Sequence, residues 1–155
     1  VEQVGLVIIK KGLSEGDGWS DRRDFSLSDT TVNYVQGQLM IMDGSNEMEH
    51  MNAVAEDASF IGICTVGHSA NPDDFRDSGV VLMKCLVEID VASASYVYGA
   101  PLKYNAGSNA ADYSLIADGG VNTIAWAAET KANATRLLVR IDVYALQKKV
   151  GVVNA

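Results

Sequence analysis

The sequence predicts a mainly β domain: an antiparallel β-barrel or sandwich with an irregular N-terminal arm and at most one short helix. Three observations lead there. Over 80–91, Val81, Met83, Cys85, Val87, Ile89 and Val91 fall on one face and Lys84, Glu88 and Asp90 on the other, the two-residue period of a half-buried strand. Over 136–145 the pattern recurs, with Leu137, Val139, Ile141, Val143 and Ala145 set against Arg136, Arg140 and Asp142. Elsewhere, short β-prone runs alternate with turn signals about every 8 to 15 residues, which favours a sandwich or barrel over a parallel α/β sheet.

Residues 1–30 form the arm. The apolar run Val4–Ile9 precedes 12–29, where Gly12, Gly16 and Gly18 stand among serines and mixed charges with no sustained period. A long irregular stretch in a compact domain is functional or mobile. Trp19 and Phe25 are its aromatics, and each can anchor the arm on its own domain or on a partner.

The body spans 31–146. Residues 31–36 are β-prone, Gly37 breaks the run, and 39–42 resumes it before the turn signal Asp43-Gly44. Met48, Met51 and Ala55 lie at helical spacing, so 47–58 reads as the short helix, although Asn52 and Asp57 weaken it. An apolar strand over 60–66 leads into a polar excursion, 67–79. After the first ladder, Pro101 cannot donate to a sheet and marks a strand start or an edge. Residues 102–104 read as a short strand and Asn105-Ala106-Gly107-Ser108-Asn109 as a turn. Further strands are expected at 113–117 and 122–128, separated by Asp118-Gly119-Gly120 and followed by a loop over 129–135. Residues 147–155 read as a surface tail, and no internal repeat is visible.

The 155-residue chain has the size of one domain, and 48% apolar with 21% charged residues is ordinary globular composition. No apolar run approaches the roughly 20 residues of a membrane helix, and Val4–Ile9 is too short for a signal-peptide core. The formal net charge of −8 argues against direct nucleic-acid binding, which needs lysine and arginine to offset phosphate. Lys10-Lys11, Arg22-Arg23 and Lys148-Lys149 read as solvated segment ends. Cys64 and Cys85 read as small buried hydrophobes, with a bridge between neighbouring strands the lesser alternative. The sequon Asn133-Ala134-Thr135 matters only in a secreted chain.

Catalytic residue types are sparse. His50 and His68 are the only imidazoles, and along a strand Cys64 and His68 would stand about 13 Å apart, too far for a nucleophile and its base. Zinc is not expected, because neither a paired-cysteine motif nor His-Glu-x-x-His occurs. The acidic clusters Asp43–Glu47 and Asp73, Asp74, Asp77 lack the register of a calcium loop. Gly16-Asp17-Gly18 lacks the lysine and hydroxyl residue of a phosphate loop. No catalytic residue, cofactor or metal site is expected.

Four segments carry a resemblance to the small β-rich head-decoration, or capsid cement, proteins of tailed bacteriophages. "FIGIC" at 60–64 resembles the strand after the opening hairpin, and "GVVLMKCLVEIDV" at 79–91 the long central strand. "YVYGAPLKYNAGSN" at 96–109 is similar to the family's glycine, apolar-x-Tyr strand and polar turn. "NTIAWAAETKANATRLLVRIDVYAL" at 122–146 resembles its closing element. The excursion 67–79 and the arm before Thr31 depart from the plainest members. The resemblance implies a barrel or tulip-like module that is made in the host cytoplasm. It would then sit on the virion's outer surface as a homo-oligomer, often a trimer, bind the major capsid protein, and reinforce the shell by bridging coat subunits. Val4, Leu6, Ile8, Trp19 and Phe25 are the candidate capsid or subunit contacts, unless Val4–Ile9 is simply the first strand of the domain's own barrel. The alternative is a non-catalytic module for glycans or a host receptor, with Tyr96, Tyr98, Tyr104, Tyr113 and Trp126 as stacking platforms.

Overall fold

The computed structural model describes residues 7–12, 21–66, 68–71, 77–109 and 112–146. Its strands are β1 (Ile8–Lys11), β2 (Arg22–Ser26), β3 (Leu39–Met42), β4 (Met48–His50), β5 (Phe60–Val66), β6 (Ser78–Leu82), β7 (Lys84–Tyr96), β8 (Pro101–Asn109), β9 (Asp112–Ala117), β10 (Ala125–Ala127) and β11 (Lys131–Asp142). The fold is mainly β, as the alternating patterns predict, and the strands divide into two sheets.

The first sheet runs β1-β7-β11-β10-β8-β9, and β9 returns to β7 through a parallel contact between Val91 and Leu115. That contact closes β7, β11, β10, β8 and β9 into a five-stranded barrel, leaving β1 as an added edge strand. The β7–β11 ladder is the longest seam, with Leu137 opposite Ile89, Val139 opposite Val87 and Ile141 opposite Cys85. All six of these side chains are buried, and the outward positions between them carry Glu88, Asp90, Arg136 and Arg140. The second sheet, β2-β6-β5-β3-β4, is antiparallel throughout.

Residues 80–91 do not make a single strand. The chain leaves β6 in the second sheet at Leu82 and enters β7 in the barrel at Lys84, with Met83 at the corner. There the Met83 N–H donates to Asp21 O at 3.0 Å, and its carbonyl accepts from Val143 N at 2.8 Å. Val81, Leu82 and Met83 are all buried at this corner, and the alternation resumes at Cys85 in β7, against the same continuous apolar core. Tyr113 on β9 ties the layers: its buried hydroxyl donates to Gly37 O at 2.6 Å, and Gly37 N donates to Cys64 O on β5 at 2.8 Å.

Several local expectations are corrected. Residues 31–36 form turns with one isolated bridge, Tyr34 to His68. Side chains there compete for the backbone, Asp29 accepting from Thr31 N and Gln38 from Val35 N. Residues 47–58 are not one helix, since Met48–His50 pairs with β3 and only Val54–Ser59 is helical, as a 3-10 turn. Residues 105–109 continue β8, with Asn105 opposite Ser114 and its Nδ2 donating to Ser114 Oγ at 2.9 Å. Residues 122–128 shorten to β10 because the Asp118 carboxylate accepts from Asn122 N and Thr123 Oγ1 and holds a loop. The segment 131–135 belongs to β11, with register shifts on either side of Ala134 and a left-handed Asn133 at φ 50°. The last ladder ends in a helical turn at 143–146.

Candidate functional site

Each N-terminal strand lands on a different sheet. Ile8 stands opposite Glu88 on β1, and Phe25 stands opposite Gly79 on β2. Both side chains are half-buried, and Phe25 packs against the core. Val4, Leu6 and Trp19 lie outside the described residues. The structure therefore does not gather Ile8 and Phe25 into one patch. It places them on an outermost strand of each sheet, where β1 pairs only with β7 and β2 only with β6 among the described residues. Ile8 and Ile9 thus extend the domain's own barrel sheet.

A second feature lies on the barrel wall. Val97 to Ala100 form a tight turn in which Ala100 N donates to Val97 O at 2.9 Å and Gly99 takes φ +88°. A left-handed glycine at the third position is the requirement of a type II turn. Two further bonds pin the turn, Tyr98 N to Thr130 Oγ1 at 2.9 Å and Gly99 N to Ala127 O at 2.8 Å. The turn holds out Val97, 65% exposed, and Tyr98, 72% exposed. Behind it, Trp126 on β10 faces Arg140 on β11 in register, and the guanidinium lies 4.6 Å from the indole centroid, within cation–π range. Arg140 Nη1 also donates to Asp142 Oδ2 at 3.2 Å. Tyr98, Gly99, Trp126, Ala127, Ala128 and Arg140 line a cleft of about 140 Å³. Its side chains supply a flat apolar face beside a fixed cation. The arrangement suits binding.

Of the five aromatics weighed as stacking platforms, Tyr96, Tyr104 and Tyr113 are buried in the core. Tyr98 and Trp126 meet in the cleft. Arg140 reads in the sequence only as the polar face of a ladder, and nothing in a linear pattern shows that β10 will set Trp126 against it. A tyrosine directly before the turn glycine, Tyr98-Gly99, was the one local signal.

The imidazoles lie elsewhere. Tyr34 sits 4.5 Å from His50 and 6.3 Å from His68 between ring centroids, and a His68 ring nitrogen bonds Thr30 O at 2.8 Å. His50 Nε2 is buried and has no hydrogen-bond partner among the described residues, and burial pushes its pKa below the ordinary histidine value despite a backbone bond at Asn33 that raises it. Cys64 and Cys85 are buried thiols whose pKa values burial pushes up to about 12, far from the thiolate that a nucleophile needs. No protein-family model matches the chain, and no curated protein matches it.

Proposed function

We propose that this chain is a structural virion protein that binds the outside of a phage capsid and stabilises the shell by bridging neighbouring coat subunits. One observation carries the reading beyond the sequence resemblance: among the described residues, the first thirty supply an edge strand to each sheet, β1 to the first and β2 to the second. An open edge is a template for a strand from another chain. Two edges on one rigid core let a single molecule engage two neighbours, and a homo-oligomer, with a trimer favoured, multiplies those contacts through effective concentration. Weak individual contacts then add to a firm attachment. The partner is the major capsid protein, contacted from the capsid's outer surface.

The test mixes the purified chain with undecorated shells and measures co-sedimentation, with the stoichiometry per coat subunit. Saturable binding at a fixed symmetric ratio is expected. Lys10 and Lys11 are exposed on β1, so amine cross-linking should join them to coat subunits or to sister copies. Absence of binding would sink the decoration reading. Binding with cross-links confined to Lys103 and Lys131 would keep decoration and move the contact away from the edge strand.

A further inference from the structure

We propose that the cleft between the Val97–Ala100 turn and the Trp126–Arg140 pair is a binding site for a single pyranose ring of a glycan. This goes beyond shell attachment, and it rests on the shape, stiffness and chemistry of the cleft.

Size sets the first limit. At about 140 Å³ the cleft is well below the roughly 300–1,000 Å³ of sites for drug-sized ligands, and it matches one six-membered ring rather than an extended chain. Stiffness is the second point. Tyr98 is 72% exposed, yet its backbone is fixed by the bonds from Tyr98 N, Gly99 N and Ala100 N described above. Trp126 is clamped between Pro101 on β8 and Arg140 on β11. An exposed aromatic held in this way offers contact area at low entropic cost.

Chemistry chooses among flat ligands. A ligand here must present one apolar face to the aromatic side chains and polar groups at its edge to the guanidinium. Arg140 has five N–H donors, of which Asp142 Oδ2 takes one. A proline ring would cover the aromatic face but leave the guanidinium unmatched and desolvated, which is unfavourable. The base of a nucleotide would stack, but the nucleotide's phosphates meet a chain of net charge −8. A pyranose satisfies both demands: its axial C–H face packs on Tyr98, and its ring hydroxyls accept from Arg140. A ring carboxylate would strengthen the same contact as a charge-assisted pair.

The experiment records ¹H–¹⁵N spectra of the full chain while methyl hexopyranosides, and in a parallel arm methyl hexuronosides, are added to about 100 mM. A single ring has only on the order of a dozen non-hydrogen atoms, so a dissociation constant of about millimolar magnitude is expected. Shifts should appear at the Trp126 indole N–H and at the Tyr98 and Gly99 amides. In Tyr98→Ala, whose side chain is outside the core, the affinity should fall at least about tenfold while the rest of the spectrum stays in place. In Arg140→Met, which keeps the aliphatic stem over Trp126, the hexuronoside arm should lose more than the neutral arm. No shift at these positions with any sugar, or shifts that persist unchanged in Tyr98→Ala, would overturn the proposal. Tyr98→Ala should leave co-sedimentation with shells intact. If it abolishes co-sedimentation while no sugar shifts the spectrum, the cleft is a coat contact, and the glycan proposal fails while the decoration reading stands.

Discussion

Gly62 shows how one missing methyl group can decide the local structure. A Cβ built there would lie 2.1 Å from Leu82 O on β6, and the residue already sits at φ +130°. Gly62→Ala therefore forces both a strained backbone and a displaced strand, and should cost more than about 2 kcal/mol in urea unfolding. Gly44→Ala is the control: nothing lies within 4 Å of its would-be Cβ, and the change should stay within about 0.5 kcal/mol. His50 gives a pH prediction. Its folded pKa is depressed by burial, so the unfolded chain takes up its proton first as pH falls. Stability from neutral His50 is fully present above its unfolded pKa, near 6.5, and declines as pH drops toward the lower folded value. Tyr34 faces this ring, and Glu49 is the adjacent carboxylate on β4. A plot of unfolding free energy against pH should slope downward below about pH 6.5, and the slope should diminish in His50→Gln. An unchanged slope in that variant would assign it to other groups. Neither residue's role can be seen in the linear sequence, because Gly62 matters through Leu82 and His50 through Tyr34.

At the scale of elements, the β7–β11 seam makes the clearest contrast between faces. Ile141 is fully buried opposite Cys85, so Ile141→Ala should cost about 2–5 kcal/mol through lost burial and a cavity. Leu138, half-buried on the outward face opposite Glu88, should cost less than half as much as Ile141 when replaced by alanine. Comparing the two denaturation midpoints checks the assignment of inner and outer faces. This seam was legible in the sequence because a strand buried on one side must alternate. What the alternation could not show was the corner at Met83, since Val81, Met83 and Cys85 stay buried on either side of it although the chain changes sheet between them. Residues 105–109 hid for a related reason. Asn105 and its polar neighbours look like a turn until β9 supplies partners such as Ser114. Met48–His50 was hidden by helical spacing that matters less than the pairing of Met48 with Met42 on β3. The aromatic cleft was half legible: Tyr98 and Trp126 stood among the aromatics, but the partnership with Arg140 required β10 and β11 to be neighbours.

For the molecule as a whole, two sheets share one apolar core, a continuous strand passage through Met83 and the Tyr113–Gly37 bond. They should therefore unfold together. In a Trp19→Phe, Cys85→Ala background, Trp126 fluorescence reports the barrel, and thiol labelling of Cys64 reports the second sheet. The two transitions should coincide along a urea series, as a two-state unit requires. A separate early Cys64 transition would show instead that the second sheet opens on its own. Tyr113→Phe leaves the Gly37 carbonyl without its buried donor, so it should lower stability by about 1–3 kcal/mol. It is also the substitution best placed to pull the two probes apart.

The edge strands have one more consequence, which concerns the order in which the chain is made. Ile8 leaves the ribosome before its partner Glu88 exists, and at about 5–20 residues per second the interval is roughly 4–16 s. Phe25 waits in the same way for Gly79. During synthesis, both strands are bare templates beside other nascent copies on the same message. Lys10 and Lys11 within β1, and Arg22 and Arg23 within β2, place like charges on those templates, which discourages pairing between identical strands. Two of the basic pairs that read as mere segment ends in the sequence, Lys10-Lys11 and Arg22-Arg23, thus stand where pairing between nascent copies would begin.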